Sequence, residues 1–470
     1  MTSQELHYLS ISEAADLISQ KRLSPVELTH AHLTRIEATE PRLNSFITLL
    51  AYDALASAQT AEQEIQAGDY RGPLHGIPIG LKDLYYTKGI LTTVGSKILR
   101  DFVPDYDATV TERFAEAGAV LMGKLQMHEF ALGATSVNPH DGPAHNPWDV
   151  DSITGGSSGG SGSAVGSGQV MGALGSDTGG SVRIPAGLCG IVGLKPTFGR
   201  VSRRGVFPLS FSLDTVGPMT RTARDAALIM NVIAGYDSRD PSSANMPDED
   251  FTAALGQSMS GLRIGIPDEF FYDIIDPEVA EAMCVATGML GELGATVERV
   301  SIPVLSHSLA ISSTILIAEA AEVHTENLRD RPQDIGADVR GRLQTGALTS
   351  ARDYLKAQRA RTEFNNQMAE VMERYDILVA PTSAIGAPKI NQTHIDIGGR
   401  QENALSLMSR LTRPFNICGF PTATIPSGFT SAGLPIGMQI AGRPFEDATV
   451  LQVADAYEQA TDWHTRRPPV

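Results

Sequence analysis

The chain contains Thr-Gly-Gly-Ser-Ser-Gly-Gly-Ser-Gly-Ser at residues 154–163, followed by Gly-Ser-Asp-Thr-Gly-Gly-Ser-Val-Arg-Ile-Pro-Ala at residues 175–186. Residues 155–199 hold 15 of the 45 glycines in the chain, which is one residue in three. Glycine lacks a Cβ, so it tolerates backbone conformations and close approaches that other residues resist. We therefore expect a local structure in this zone that requires bare backbone.

Two other interpretations of the glycine-rich zone are weaker. A flexible Gly/Ser linker is opposed by the small apolar residues of Ala164–Gly166 and Val170–Leu174, which predict a packed segment. A phosphate-binding loop would need Gly-Lys-Ser/Thr, or G-x-G-x-x-G with a downstream acid, and neither is present. A catalytic interpretation accounts for more of the residues.

Two serines and a lysine form the candidate catalytic set. Ser157 and Ser181 each follow a Gly-Gly pair, and the N–H groups of such a pair can stabilise a developing oxyanion. A serine nucleophile needs a base, but no histidine setting suggests a triad and the G-x-S-x-G pattern is absent around Ser181. Lys82 follows the apolar run Ile77–Leu81, and burial lowers the pKa of a lysine because its charged form loses hydration.

Apolar runs typical of buried strands alternate with helical segments beyond the first 65 residues, which we expect to be helical. This alternation predicts an α/β protein with a mostly parallel or mixed sheet. The predicted strands are Ile77–Leu81, Ala119–Gly123, Val192–Leu194, Leu262–Ile266, Ala295–Val300, Ile377–Pro381, Thr422–Pro426 and Leu434–Ile440. The predicted helices include one that begins after Ser24, and Val110–Gly118, Thr222–Ala234, Val279–Leu293 and Thr449–Ala460.

Lys82, the segment 155–160 and the segment 177–183 together resemble the amidase signature family. The sequence context also resembles it: His75-Gly76-Ile77-Pro78, Asn146-Pro147-Trp148 and Gly193-Leu194-Lys195-Pro196-Thr197. The resemblance is dense over about residues 70–235, loose over about 240–370, and resumes over about 376–465. It implies a single domain, residues 1–470, in which 70–235 is the catalytic core, 240–370 a variable excursion around the substrate pocket, and 376–465 completes the core.

The implied fold is an α/β/α sandwich with a large mixed, mostly parallel sheet flanked by helices. The implied site is a Ser-cisSer-Lys triad, in which Ser181 is the nucleophile, Ser157 a relay serine bound through a cis peptide, and Lys82 the base. The family pattern places the oxyanion hole at the backbone N–H groups of Thr178, Gly179, Gly180 and Ser181, and supporting side chains at Ser158, Asp177 and Arg183.

The resemblance implies an amidase that releases ammonia or an amine through an acyl-enzyme, without cofactor or metal. Two alternatives stay open: a carbamate or urea hydrolase, and the glutamine-hydrolysing component of a tRNA-dependent amidotransferase. Such components carry an acidic residue shortly before the segment that here reads Thr412–Asn416, and the matching position is Ser409. A serine cannot pair with the amino group of glutamine, so a stand-alone amidase is favoured. Candidate pocket residues are Met127, Phe130 and Arg342, of which Arg342 could match an arginine that binds the glutamine carboxylate.

Composition excludes several other classes. The formal net charge of −17 argues against binding to a nucleic-acid backbone or to an anionic membrane surface. Three scattered cysteines do not form a disulfide framework or a zinc site, and His128-Glu129 does not belong to a metal-binding H-E-x-x-H pattern. We expect no signal peptide at Met1–Leu6 and no stretch of about 20 apolar residues. The sequence thus predicts a cytoplasmic enzyme for a small amide, and a homo-oligomer stays open.

Overall fold

Eleven strands form the central sheet of the computed structural model, which describes residues 6–470. Along the sheet the strands follow the order β1-β3-β2-β4-β6-β5-β10-β11-β9-β7-β8. In chain order they are β1 (Phe46–Leu49), β2 (Pro78–Lys82), β3 (Val120–Leu125), β4 (Gly172–Asp177), β5 (Val192–Lys195), β6 (Thr215–Thr220), β7 (Arg263–Pro267), β8 (Thr296–Val300), β9 (Ile377–Pro381), β10 (Thr422–Phe429) and β11 (Pro435–Gly442).

The predicted mixed α/β sheet is confirmed, with one correction to its strand directions. Four pairings are parallel, β2 with β3 and β4, and β7 with β8 and β9. The other six are antiparallel and include the whole centre of the sheet. Continuous apolar runs are typical of parallel strands because helices cover both faces of such sheets. Here the antiparallel strand β11 is buried along its whole length, so the same pattern arises without parallel pairing.

Helices surround the sheet. They are α1 (Ile11–Ser19), α2 (Pro25–Leu43), α3 (Ala51–Ala67), α4 (Thr109–Glu116), α5 (Gly159–Gly166), α6 (Arg183–Cys189), α7 (Ala223–Ile233), α8 (Pro277–Glu292), α9 (Ser308–Val323), α10 (Thr325–Asp330), α11 (Ala337–Ala347), α12 (Ala351–Met372), α13 (Ala404–Ser409), α14 (Arg413–Ile417) and α15 (Asp447–Gln459). Helices α6, α8 and α15 all contact β11.

Local sequence signals explain where several helices begin. The Ser24 hydroxyl accepts from two N–H groups of the first turn of α2, and Pro25 is the first helical residue. Thr222 caps α7 in the same way, by accepting from Asp225 N–H. A side-chain acceptor satisfies N–H groups that have no partner within the helix, and proline has no N–H to lose there. The caps therefore set both boundaries within a residue of their predicted positions.

The glycine-rich helix α5 was not predicted, and its surroundings explain its composition. All eight of its residues are buried, which excludes the flexible linker. A Cβ on Gly160 would lie 2.5 Å from the backbone of both Gln126 and Ser45, so only glycine allows the helix to pack this closely. Strand β1 was also missed, since the first 65 residues were expected to be helical.

One apolar helical stretch corrects an expectation about membranes. Pro303–Val323 has 21 residues and a mean hydropathy of 1.4, values that a membrane span also shows, and 56% of its apolar window is buried inside the protein. The expectation that no stretch approaches a span is therefore wrong by length and composition. A buried core helix meets the same criteria, and α9 packs against α11, α12 and α14.

The predicted division of the chain stays a prediction. The segment 240–370 contributes β7 and β8 to the central sheet and α9 to α12 to one wall of a cavity. The expected absence of a signal peptide rests largely on residues 1–5, which lie outside the described residues.

Candidate active site

Lys82 is the last residue of β2, a strand that is buried along its whole length. Its ammonium group, which is fully buried, donates to three serine hydroxyls: Ser157 Oγ at 2.7 Å, Ser158 Oγ at 3.0 Å and Ser176 Oγ at 2.8 Å. The sheet thus delivers the lysine predicted as base directly to the serine predicted as relay.

The surroundings of Lys82 make it a usable base near neutral pH. Burial lowers its pKa to about 7, against the opposing attraction of Asp214 and Asp177. The charged form of a buried amine loses hydration that three neutral hydroxyls do not fully replace. About half of the Lys82 side chains are therefore neutral at pH 7, and a neutral amine can accept a proton.

Three serines surround the lysine, and one of them was missed by the sequence analysis. Ser157 follows the cis peptide bond between Gly156 and Ser157, and Ser158 accepts from the Ser176 N–H at 3.3 Å. Ser176 lies on β4, which pairs in parallel with β2. Knowledge of that pairing would have identified Ser176, because parallel neighbours bring the ends of both strands together.

Ser181 lies just before α6 and faces a cavity. Its residue is 9% exposed, and no hydrogen bond of its hydroxyl, to Ser157 or to any other residue, occurs within residues 6–470. The preceding Gly180 has φ +120°, and a Cβ there would lie 2.1 Å from Thr412 Oγ1, so only glycine fits. The structure therefore joins Lys82 to Ser157 and leaves the Ser181 hydroxyl facing the cavity.

The backbone around Ser181 offers fewer free N–H groups than the four predicted. Gly180 N–H donates to Asp177 Oδ1 at 2.8 Å, so it is not available to a substrate. Among the described residues, the N–H groups of Gly179 and Ser181 have no hydrogen-bond acceptor. The hydroxyl of Thr178 donates to Asp214 at 2.6 Å, which holds the first residue of the loop.

Asp177 and Arg183 support this loop, as the sequence analysis expected, through a fully buried ion pair. Asp177 also accepts from the Asn416 amide at 2.8 Å, and Arg183 donates to Gln439 at 3.0 Å. Burial alone would raise the pKa of Asp177, but Arg183 and Asn416 outweigh it and hold the pKa well below its usual range. The pair thus ties the loop before Ser181 to α14 and β11.

We expect Arg183→Met to lower the free energy of unfolding by about 3–5 kcal/mol, because it leaves the buried Asp177 carboxylate unpaired. Urea denaturation followed by circular dichroism measures the loss. The control is Arg299→Met, which breaks the exposed pair with Asp268 and should leave the unfolding midpoint unchanged. Equal stability of the two variants would contradict the assigned role of the buried pair.

A cavity of about 380 Å³ opens in front of Ser181. Of the three predicted pocket residues, only Arg342 lines it. Met127 and Phe130 are instead core residues, and the Phe130 ring packs 4.0 Å from that of His324. The sequence analysis did not anticipate two further arginines in the lining, Arg410 and Arg413.

Within residues 6–470, no group of three or more His, Cys, Asp and Glu side chains is arranged to hold a metal ion.

The chain matches known proteins along its whole length. The Amidase family model matches residues 27–451. The glutamine-dependent relative from Chloroflexus aggregans, the A component of its Glutamyl-tRNA(Gln) amidotransferase, is 45% identical, with 99% of each chain covered. A structure described as a vestigial protein complex that reveals the origins of an s-triazine catabolic enzyme is 36% identical, with a TM-score of 0.93 over 96% of this chain and 98% of that chain.

A bacterial aryl acylamidase described as a member of the amidase signature enzymes is also similar in structure. It is 29% identical, with a TM-score of 0.90 and 98% of each chain covered. The family match spans nine-tenths of the chain and includes Lys82, both glycine-rich segments and the strands that carry them. The chain belongs to the amidase signature family.

Proposed function

We propose that this protein hydrolyses a carboxylic amide, with Ser181 as nucleophile, Ser157 as relay and Lys82 as base. The observation that carries this proposal is the 2.7 Å contact between the buried Lys82 amine and the Ser157 hydroxyl. A fully buried lysine that contacts only hydroxyls, and whose pKa is lowered to about 7, is arranged for proton transfer and not for charge pairing.

In the proposed reaction, Ser181 Oγ attacks the amide carbonyl while its proton passes through Ser157 to neutral Lys82. The N–H groups of Gly179 and Ser181 stabilise the oxyanion. The proton returns to the leaving nitrogen, the C–N bond breaks, and ammonia or an amine departs. Water then hydrolyses the acyl-enzyme by the same proton path. The relay from Ser181 to Ser157 requires the two hydroxyls to come into hydrogen-bond contact when substrate is bound.

A second candidate is the glutamine-hydrolysing component of an amidotransferase, and the comparisons favour it over the stand-alone amidase. The 45% identical relative bears that name, and a similar structure is described as a protein complex. On this alternative, the same site would release ammonia from glutamine and the chain would work with partner proteins.

The lining of the cavity supports the stand-alone amidase. Ser409 lines the cavity, at the position where the sequence analysis expects an acidic residue in amidotransferase components. No aspartate or glutamate lines the cavity, so the amino group of glutamine would enter without a counter-charge. A cytoplasmic location is part of this proposal.

Ammonia release by the purified chain separates the two candidates. We expect turnover of simple primary amides and a kcat/KM for glutamine at least about tenfold lower, because an unpaired ammonium group is costly to desolvate. The assay compares pentanamide, benzamide, a carbamate, a urea and glutamine, with heat-denatured protein as the blank. Glutamine as the best substrate would favour the amidotransferase component, and turnover of only the carbamate or urea would move the substrate class to that branch.

A further inference from the structure

The cavity in front of Ser181 carries positive charge and no negative charge on its surface. Arg342, Arg410 and Arg413 line it, and no aspartate or glutamate does. Its other polar groups are neutral, such as those of Asn403 and Ser313. The opposite wall is apolar and includes Leu132 and Ile317. This is an unusual excess of cationic groups, because the chain as a whole has a net charge of −17.

Two of the three arginines have other partners. Arg342 donates to the carbonyl oxygen of Leu132 at 3.0 Å and lies 3.6 Å from the Asp338 carboxylate. Arg410 donates to the carbonyl oxygen of Ile274 at 2.7 Å and lies over the Phe270 ring. Both side chains are therefore partly held by the protein.

Arg413 is different, because no carboxylate within residues 6–470 pairs with its guanidinium. Its only hydrogen bonds are long ones, to the hydroxyls of Ser312 and Ser313 at 3.4 Å each. Burial lowers its pKa to about 10, with a further contribution from Arg342, so it is still charged at pH 7. A desolvated guanidinium without an anion is costly, and a bidentate carboxylate is the partner that its planar geometry fits.

Arg413 lies beside the loop that carries the nucleophile. A Cβ built on Gly179 would lie 4.0 Å from its Cζ and Nη1 atoms, and Gly179 is two residues from Ser181. Two residues span at most about 7 Å. An anion on Arg413 would therefore be separated by a short chain from a carbonyl at Ser181.

We propose that Arg413 forms a carboxylate subsite, and that the substrates are short amides with an ionised carboxylate and no ammonium group. The proposal rests on amide hydrolysis at Ser181 and names its substrate class. Two or three methylene groups between the carboxylate and the amide carbon match the reach from Arg413 to Ser181. Glutaramate, the monoamide of glutarate, represents the class and differs from glutamine only by lacking the amino group.

Three amides of one chain length test the subsite in the wild-type protein. We expect kcat/KM for glutaramate to exceed that for pentanamide by about 10- to 100-fold, because a charge-assisted pair with Arg413 forms only with the carboxylate. Glutaramate should also exceed glutamine. Equal values for glutaramate and pentanamide, or a preference for glutamine, would overturn the proposal. This comparison needs no variant, so it does not depend on whether a variant folds.

Arg413→Gln tests which arginine is responsible. The ratio of kcat/KM for glutaramate over pentanamide should fall at least about tenfold, whereas the control Arg299→Gln, an exposed arginine outside the cavity lining, should keep the wild-type ratio. An unchanged ratio in Arg413→Gln would overturn the assignment of Arg413.

Binding separates this proposal from the proposed function. Glutarate, titrated calorimetrically into Ser181→Ala, should bind, and binding should weaken at least about tenfold when Arg413→Gln is added. If no amide is hydrolysed but glutarate binds through Arg413, amide hydrolysis fails and the carboxylate subsite stands. If amides are hydrolysed but glutarate binds equally with and without Arg413, the subsite fails and amide hydrolysis stands.

Discussion

Ser181→Ala is expected to lower kcat for the best amide substrate by at least about 10⁴-fold, since it removes the nucleophile and no other hydroxyl can form the acyl-enzyme. The fold should be unaffected, because the Ser181 hydroxyl makes no hydrogen bond within residues 6–470. Its backbone carbonyl, which accepts from Ser158 N–H at 3.3 Å, is retained in the variant. Steady-state ammonia release at saturating substrate measures the effect, and a thermal melt verifies folding.

A serine of the same segment provides the control for this substitution. The hydroxyl of Ser161 is buried and donates to the carbonyl oxygen of Leu174 at 3.2 Å, away from Lys82. Ser161→Ala should keep kcat within a few-fold of wild type. A fluorophosphonate probe should label wild type on the peptide that contains Ser181 and leave Ser181→Ala unlabelled. Labelling of another serine, or more than a tenth of the wild-type kcat in Ser181→Ala, would reject Ser181 as the nucleophile.

The sequence predicted those parts of the fold that local chemistry determines. The strand Ile377–Pro381 has the predicted bounds, because a short apolar run that must be buried on both faces is recognisable without knowledge of its neighbours. Lys82 was identified for a related reason, since a lysine that directly follows such a run has to emerge from the sheet interior.

Features that depend on which elements become neighbours were not predictable. Ser176 contacts Lys82 only because β4 lies beside β2, although 94 residues separate the two in the chain. Arg413 became a candidate only when the cavity showed that no acid faces it. Met127 and Phe130 were wrongly placed in the pocket because an apolar residue close to a site in sequence is equally compatible with the core.

The third residue of the proposed triad gives the second large effect. Lys82→Met should lower kcat/KM by about 10²- to 10⁴-fold at pH 8, because general base catalysis contributes about that much and the thioether cannot accept a proton. Methionine approximates the length of the lysine side chain in a fully buried site, so the substitution changes the chemistry more than the packing. Urea denaturation of the variant verifies that the fold is retained.

The pH dependence of wild type tests the same assignment without a substitution. The pKa of Lys82 is lowered to about 7, so the amine is mostly neutral above pH 7 and mostly protonated below it. Only the neutral form can act as base. Hence kcat/KM should be constant above about pH 8 and fall about tenfold for each pH unit below about pH 6.5. In Lys82→Met the residual activity should lose this acidic limb.

Lys124 decides whether the acidic limb belongs to Lys82. It lies on the neighbouring strand β3, is equally buried, and burial lowers its pKa to about 8. Its amine donates to Tyr85 O and Thr92 Oγ1 and lies 3.5 Å from Asp83, but contacts none of the three serines. Lys124→Met should therefore retain the acidic limb near pH 7, even if it is less stable. Loss of that limb in Lys124→Met, or its survival in Lys82→Met, would show that Lys82 is not the base.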